Sequence, residues 1–293
     1  MTAFASLPAP VRGAIWMLGQ TASFSIMIAA VRTLSPNYSV FEIAFFRAAI
    51  GLAFQLPWAM RAGKEAFQAD NQRILWLRSL LNFAGVVVWF LALSLMPMTD
   101  AIALQFTLPL FCVLGVVLFL GEAVGLHRWA ATAVGFAGAL VIIRPGFDGI
   151  GPEALVALAA AALYAGVHLT TRAIASTHVG VLAFHMNLIA LPLTLIPAIY
   201  GWVTPSGADI PWILALGIFG TTAHFFMGRA YRLAPASVIA PMDFSKLIFT
   251  ALLGWFLFQE MSHGFIWLGG AIIVVSTTYI LRREARAARR AVG

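Results

Sequence analysis

Apolar residues along the chain fall into ten long runs, and proline, glycine or charged residues separate almost every neighbouring pair. Each run is close to the roughly 20 residues that an α-helix needs to cross about 30 Å of hydrocarbon. The pattern therefore predicts an all-α integral membrane protein with ten transmembrane helices and short connections. The runs cover residues 12–32, 40–60, 74–95, 98–120, 126–144, 152–174, 179–201, 210–230, 237–258 and 263–281.

Composition agrees with this pattern. Of the 293 residues, 61% are hydrophobic and only 10% are charged, and the mean hydropathy is +0.92. Soluble proteins carry about 25% charged residues, so lipid is the expected solvent for this chain. The net charge of +7 does not indicate nucleic-acid binding, because the basic residues lie at helix ends and no RNA-type aromatic motif is present. The single cysteine, Cys112, excludes an internal disulfide.

The distribution of Lys and Arg predicts the orientation. If the N-terminus is cytoplasmic, fourteen of these residues lie in inside segments and two, Arg32 and Arg144, lie outside. Such an excess marks the cytoplasmic side of a membrane protein. We therefore expect a multi-pass protein of the bacterial inner membrane with both termini inside. The first run is too long for a signal peptide and is expected to be retained as a helix, and residues 283–293 form a basic cytoplasmic tail.

The two halves of the chain resemble each other when the sequence is shifted by about 138 residues. Each half, 12–144 and 152–282, contains five predicted helices, so the second half must enter the membrane in the opposite direction. Inverted repeats of this kind are typical of secondary transporters, with a substrate site near the midplane where the halves meet. The matched features are Ala92-x-x-Leu95-x-Pro97 with Ala230-x-x-Leu233-x-Pro235, Phe106-Thr107 with Phe244-Ser245, Glu122 with Glu260, and Trp129 with Trp267.

These motifs also resemble a known family. The segment Ala92–Ala101, the Phe106-Thr-x-Pro109 motif and the Gly121-Glu122 helix end, with their echoes in the second half, are similar to the EamA-type repeat of the drug/metabolite transporter superfamily. The resemblance implies a carrier of two inverted five-helix repeats with both ends inside. Within the superfamily the chain most resembles the YddG-type exporters of aromatic amino acids. The function implied is export of small metabolites, above all amino acids, by alternating access.

Other functions are less well supported by the sequence. A carrier of cationic drugs or nucleotide-related metabolites would have the same architecture, and inverted repeats also build channels and passive facilitators. A membrane-embedded enzyme would need clustered acids, histidines or a metal motif, and the acids here are scattered among helix ends. No ATP-binding P-loop is present, so a gradient must supply the energy. We expect no enzyme activity, cofactor, metal or nucleic-acid partner, and a monomer or weak dimer that binds a small molecule within the lipid bilayer.

The ion pair predicted in the ninth helix is the first candidate for binding. Asp243 and Lys246 stand three residues apart, share a helix face and can neutralise each other. The repeat places Gln105 opposite Asp243, so the pair breaks the internal symmetry. One interpretation is that a zwitterionic amino acid exchanges partners with the pair. The other is a permanent salt bridge that makes the helix insertable.

Further polar and aromatic residues within the runs are also candidates. Arg47 is either a clamp for a substrate carboxylate or a structural partner of carbonyl groups or Glu42. A histidine could carry a proton, although a buried histidine commonly serves as a hydrogen-bonding group. An indole could stack on the substrate or simply pack. Intramembrane ionisable residues are costly and therefore often functional. The candidate substrate-binding residues are Arg47, Asn82, Trp89, Gln105, Tyr164, His168, His185, Asp243 and Lys246.

Overall fold

The structure, a computed structural model, describes residues 9–120, 126–143, 151–174, 176–233, 245–260 and 264–292. In these segments the regular structure is helical, with no strands. One 3₁₀ helix, Gly63–Phe67, follows α2. The α-helices are α1 (Ala9–Leu34), α2 (Val40–Ala62), α3 (Gln72–Leu95), α4 (Met98–Gln105), α5 (Leu108–Leu120), α6 (Leu126–Ile143), α7 (Glu153–Ala173), α8 (Val179–Ile199), α9 (Ile210–Leu233), α10 (Ser245–Phe258) and α11 (Gly264–Val292).

Seven of the described helical segments are long and apolar enough to cross a membrane. The helices Ser245–Phe258 and Gly264–Ser276 are apolar but shorter. The prediction of an all-helical membrane protein is therefore confirmed, and the count of ten spans stays a prediction. The seven segments are Val11–Leu34, Val40–Phe67, Gln72–Leu95, Met98–Gly115, Glu153–Thr171, Val179–Ile199 and Ile210–Ala230.

Two helices differ from the sequence prediction. The fourth run is two helices, because α4 ends at Gln105 and α5 begins at Leu108. Pro109 has no amide hydrogen for the carbonyl of Gln105, and proline disfavours helical geometry in the residue before it. Thr107 closes α4 instead, since its hydroxyl donates to the carbonyl of Leu104 at 2.7 Å. The predicted basic tail also continues α11 to Val292, because alanine, arginine and glutamate favour helix.

The main helix contacts occur in equivalent pairs: a contact between two helices has a counterpart between the corresponding helices of the opposite halves. Helix α1 packs against α9 as α7 packs against α3, and α1 packs against α10 as α7 packs against α5. Helix α2 contacts α9 as α8 contacts α3. Helices α2 and α8, which are equivalent in the repeat, contact each other, and so do α6 and α11. Each half therefore packs largely against the other half, and the hydrophobic core lies between them.

Glycines permit the closest of these helix contacts. A Cβ atom on Gly217 of α9 would lie 2.3 Å from Cγ2 of Ile50 in α2. A Cβ atom on Gly138 of α6 would lie 2.9 Å from the backbone oxygen of Gly269 in α11. Small residues let helices approach closely in lipid, where packing rather than the hydrophobic effect drives association. These glycines therefore set the separation of helices from opposite halves.

One end of the bundle, which we call the Tyr38 end, is closed by contacts between the halves. The Tyr38 hydroxyl donates to Asp209 Oδ2 at 2.8 Å, and the amide of Val203 donates to Glu42 Oε1 at 2.7 Å. Glu42 also caps α2 through Ser39, in a capping box. The Trp202 ring packs edge-on against the neighbouring rings of Phe45 and Phe46. The charge count predicts that this end faces outwards.

The opposite end, the Asp70 end, joins the connection after α2 to the start of α8. Ser176 and Thr177 both donate hydroxyl hydrogen bonds to Asp70. Arg78 Nε donates to the hydroxyl of Thr171 at 2.7 Å. The Trp58 indole stacks on the His178 ring, with centroids 5.6 Å apart. The charge count predicts that this end faces the cytoplasm.

Replacing Tyr38 by phenylalanine is expected to lower the melting temperature more at neutral pH than in acid. Hydrogen bonds from Ser206 and Tyr38 lower the pKa of Asp209 below its usual range. Burial and the hydrogen bond to Asp209 raise the pKa of Tyr38. A carboxyl group with a lowered native pKa stabilises the fold above its unfolded pKa and loses that contribution as pH falls through the native value. The difference in melting temperature between wild type and Tyr38→Phe should therefore shrink in acid.

The matched control is Tyr200→Phe, because Tyr200 lies at the same end and is 90% exposed. It should have the wild-type melting temperature throughout the pH range. A destabilisation by Tyr38→Phe that is the same at neutral and acid pH would contradict the role of ionised Asp209.

Candidate functional site

A cavity lies between α2 of the first half and α8 and α9 of the second. It is partly open to the surroundings, and its empty space, with the open part included, amounts to about 330 Å³. Its position, at the middle of α2 and α9 and in the first half of α8, places it within the spans and towards the Asp70 end. The lining residues are Arg47, Gly51, Gln55, Ala183, Met186, Asn187, Gly220, Thr221 and His224.

Helical periodicity explains why these residues line one cavity. Arg47, Gly51 and Gln55 are four residues apart on α2, and residues at this spacing lie on one helix face. On α9, Gly220 and His224 show the same spacing. The glycine at position 51 is required by a close approach, since a Cβ atom there would lie 2.9 Å from Asn187 Nδ2. The face of α2 that carries Arg47 is therefore turned towards the second half.

Arg47 has no hydrogen-bond acceptor and no ion-pair partner within the described residues. Glu42, which the sequence suggested as its partner, is engaged by Ser39 and Val203 instead. The guanidinium lies beside Gly220, where a Cβ atom would be 3.6 Å from Arg47 Nε. It is close enough to Tyr164 and His224 for electrostatic interaction. A buried guanidinium with five donors and no protein acceptor is a site for an acceptor that a ligand supplies.

The other polar groups of the cavity can both donate and accept hydrogen bonds. Asn187 Nδ2 donates to Gln55 Oε1 at 3.2 Å, which leaves the Gln55 amide hydrogens and the Asn187 carbonyl oxygen for other partners. His224 Nδ1 lies 2.8 Å from the carbonyl oxygen of Gly220. Because a carbonyl only accepts, Nδ1 carries the proton and Nε2 of the neutral ring is an acceptor. Beside the cation, the cavity thus offers two amides and an imidazole.

Three further candidates from the sequence do not line this cavity, namely His185, His168 and Tyr164. His185 is buried between α3 and α8, where its Nδ1 lies 3.0 Å from the Ser79 hydroxyl and its ring meets the edge of Trp76. His168 of α7 is exposed. Tyr164 packs near Gly85 of α3, since a Cβ atom there would lie 3.4 Å from Tyr164 Cε1. Tyr164 therefore neighbours Arg47 without lining the described cavity.

Asn82, Trp89 and Gln105 each have a buried polar atom that lacks a hydrogen-bond partner in the described part of the chain. These atoms are Asn82 Nδ2, Trp89 Nε1 and Gln105 Oε1. Trp89 is fully buried in the core between the halves. An unsatisfied buried group costs about 1–3 kcal/mol, so such groups are uncommon without a purpose. The structure does not bring these three residues to the cavity around Arg47.

The predicted pair in the ninth helix is only partly described. Asp243 lies outside the described residues. Lys246 begins the first turn of α10, and its Nζ lies 4.7 Å from the centre of the Phe24 ring in α1. The neighbouring Ser245 hydroxyl lies 2.8 Å from that of Thr21. Lys246 therefore contributes to the contact between α1 and α10, and the exchange of partners with a substrate stays a prediction.

Gln55, Asn187 and His224 are not among the candidate binding residues that the sequence predicts. Gln55 stands eight residues after Arg47, which places it on the same face of α2 about two turns away. That spacing is the signal that would have identified it. Asn187 and His224 are isolated neutral residues in their helices, and only the pairing of α2 with α8 and α9 places them beside Arg47.

Comparison with known proteins identifies relatives along almost the whole chain. The model of the EamA-like transporter family matches twice, at residues 11–144 and 151–282. A riboflavin transporter of Rhizobium johnstonii is 33% identical over 284 residues, which cover 96% of this chain and 94% of the relative. An S-adenosylmethionine uptake transporter of Rickettsia felis is 29% identical over 277 residues, 94% of each chain. One crystal structure matches with a TM-score of 0.63 and 22% identity over 91% of this chain and 96% of its own, which shows the fold alone.

Proposed function

Because the chain belongs to the EamA-like transporter family, we propose that it is a secondary carrier with its substrate site in the cavity of α2, α8 and α9. It is a multi-pass inner-membrane transporter and not an enzyme. The proposal adds that residues 12–144 and 152–282 are inverted five-helix repeats, with ten spans and both termini in the cytoplasm. The halves would rock against each other and expose the site to each side in turn. We also propose that the carrier is a monomer or weak dimer.

The observation that carries the proposal is the guanidinium of Arg47, which lies in a cavity between the halves and has no acceptor among the described residues. A charge at the centre of a span costs about 2.5–3.5 kcal/mol on insertion scales. An unpaired cation is therefore retained only where something else compensates it. A substrate that enters from water and presents acceptor atoms would do so, and residues of both halves would surround it.

The cavity fits a substrate that presents two adjacent hydrogen-bond acceptors to the planar guanidinium fork. A carboxylate supplies such a pair, and so does an edge of carbonyl oxygen and ring nitrogen on a planar heterocycle. S-adenosylmethionine carries a carboxylate, and riboflavin carries a heterocyclic edge. Gln55, Asn187 and His224 would bind further polar groups of either molecule. The positive charge of Arg47 argues against those cationic drugs that carry no carboxylate or other acceptor pair to bind it.

Amino acids remain a second candidate, because their carboxylate also fits Arg47. The relatives are named for riboflavin and for S-adenosylmethionine uptake, so import of a heterocyclic metabolite should be tested before export of an aromatic amino acid. The proposed substrates therefore include heterocyclic metabolites as well as the amino acids that the resemblance to exporters implies.

Counterflow into proteoliposomes tests the proposed function. Vesicles loaded with unlabelled riboflavin, S-adenosylmethionine or tryptophan would receive the same compound in labelled form outside. A carrier accumulates label transiently above equilibrium and saturates, whereas a channel only equilibrates it. We expect saturable counterflow with a compound that has adjacent acceptors. Equilibration without counterflow, or no flux with any of these compounds and related metabolites, would contradict the proposal.

A further inference from the structure

An ion pair joins the two halves at the Tyr38 end. Arg32 Nε of α1 lies 3.2 Å from Glu260 Oε1, which follows α10. Arg32 Nη1 also donates to the carbonyls of Leu93 and Ser94, at 3.1 and 2.9 Å. The second oxygen, Glu260 Oε2, accepts from the amide of Met98 at 3.0 Å. We call this ion pair and its three backbone partners the latch. It fastens the end of α3 and the start of α4 to the second half.

The backbone after α10 is built to hold Glu260 in this position. Gln259 has a φ of 56°, a left-handed conformation that non-glycine residues rarely adopt. The Glu260 amide then donates back to the carbonyl of Gly254 at 3.0 Å, which closes the end of α10. A Cβ atom on Gly254 would lie only 3.3 Å from Glu260 Oε2. The carboxylate is therefore fixed by the fold of its helix end.

A second carboxyl group, Asp100, stands beside the latch without a donor. It is the third residue of α4, two residues after Met98, and it is 6% exposed. Its Oδ1 atom has no hydrogen-bond partner in the described part of the chain. Glu260, which carries the same sign, is close enough for electrostatic interaction with it, since Glu260 Oε2 binds the Met98 amide two residues before Asp100. The repeat places Val238 opposite Asp100, so this acid belongs to one half only.

The charged groups around Asp100 are few. On the elements that pack against α4, the described residues of this end carry Arg32 on α1, Glu260 after α10 and Glu153 at the start of α7. The described residues of α3, α6 and α11 at this end carry none. Glu153 is turned to its own helix start, where it accepts from the Gly151 amide. Among the described residues, an ionised Asp100 would therefore meet repulsion from Glu260 and no free compensating cation, because Arg32 is bound in the latch.

We propose that Asp100 is a proton-binding site that controls the latch. With the proton bound, Asp100 is neutral and Glu260 bridges Arg32 and Met98, so the Tyr38 end is closed. When the proton leaves, the new negative charge repels Glu260 and favours separation of the halves at this end. Opening is thereby linked to proton release, whichever substrate occupies the cavity around Arg47.

The test measures opening directly and uses no substrate. In a Cys112→Ala background, Ala29→Cys places a reporter thiol one turn from Arg32 on the same face of α1, at a residue that is 1% exposed. A maleimide labels this thiol in purified protein in nanodiscs. Both faces of a nanodisc are accessible to the reagent, so the result does not depend on how the protein is oriented in the membrane. Thr204→Cys, at an exposed residue, is measured in parallel, and the ratio of the two rates corrects for the pH dependence of thiol reactivity.

We expect the corrected labelling rate to rise at least about threefold between roughly pH 5.5 and 8 when Asp100 is present. Asp100→Asn, which is always neutral, should label slowly at every pH, and Glu260→Gln should label quickly at every pH. Glu65→Gln, an exposed acid at the Asp70 end, should behave as the parent protein. A thermal melt checks that each variant is folded.

The proposal is overturned if the pH dependence persists in Asp100→Asn, or if Glu260→Gln labels as slowly as the parent. A sodium-dependent rate at constant pH that disappears in Asp100→Asn would also overturn it, since the site would then bind a metal cation. Failure of substrate counterflow would leave these measurements unaffected, so the latch and the proposed function are judged separately.

Discussion

Replacing Arg47 by alanine is expected to reduce transport roughly 100-fold, because the substrate loses about 3 kcal/mol of charge-assisted hydrogen bonding. Within the part of the chain that the structure describes, the guanidinium has no protein acceptor to leave behind. Its removal should therefore leave the melting temperature of the empty carrier unchanged or raise it, as a charge is removed from the membrane interior. Initial rates of counterflow in proteoliposomes measure the first effect, and thermal unfolding in detergent measures the second.

Two further substitutions at Arg47 identify the kind of acceptor on the substrate. Lysine keeps the charge but loses the planar fork, whereas glutamine keeps a planar donor and loses the charge. If the substrate presents a carboxylate, Arg47→Lys should retain more transport than Arg47→Gln. If it presents the neutral edge of a heterocycle, the order should reverse. The comparison is decided by the ratio of the two rates, so it does not require the absolute activity.

The matched control is Arg61→Ala, which removes an exposed arginine from the end of the same helix. It should transport at nearly the wild-type rate. If Arg47→Ala transports as well as Arg61→Ala, then Arg47 does not bind the substrate and the proposed site is wrong. If Arg47→Ala fails to fold, its guanidinium has a structural partner, which would equally contradict the proposal.

Hydropathy predicted where helices lie but not where they begin, break or end. Hydropathy depends only on the polarity of side chains. The interruption at Phe106 and Thr107 is instead an effect of Pro109 on the backbone, within an unbroken apolar run. The reverse holds for α11, where charged residues end the apolar signal but still favour helix, so the helix continues to Val292. Both differences arise because solvent preference and helix propensity are separate properties.

A residue of the candidate site is easier to predict from sequence when its side chain is costly to place in lipid. Arg47 stands out in sequence because a cation in a span demands a reason. Gln55 and Asn187 are inexpensive neutral residues, and only the packing of α2 against α8 gives them a common cavity. Asp100 lies within the repeat motif Ala92–Ala101, so its place in the sequence does not by itself distinguish it from the motif. Its departure from the internal symmetry, against Val238, was the available signal.

The packing of the helices is repeated between the two halves, but the candidate site is not. Packing contacts are repeated between the halves, since α1 with α9 corresponds to α7 with α3. Two ionisable residues are not repeated: Arg47 and Asp100 occur in the first half alone. In the proposed mechanism, symmetric packing would give two conformations of similar energy, and Arg47 and Asp100 would be the groups on which a substrate or a proton acts to favour one of them.

Replacing Gly138 by leucine is expected to destabilise the carrier by about 2–3 kcal/mol and lower its melting temperature by about 5 °C. A Cβ atom at this position would lie 2.9 Å from the backbone oxygen of Gly269 and equally close to side-chain atoms of Ile272 and Ile273. Backbone cannot move aside as a flexible side chain can, so α6 and α11 must separate. Helices α6 and α11 are equivalent in the two halves, so the substitution strains a contact that joins one half to the other.

Ala137→Leu is the matched control, because Ala137 is the exposed neighbour of Gly138 on α6 and its substitution places the same leucine side chain on an open surface. It should melt within about 1 °C of wild type, since substitutions away from packed sites have small effects. Gly138→Ala should fall between the two, because it introduces the close contact without the larger side chain. Equal melting temperatures for Gly138→Leu and Ala137→Leu would show that α6 and α11 are not packed at the distance described, and the interface between the equivalent helices would have to be redrawn.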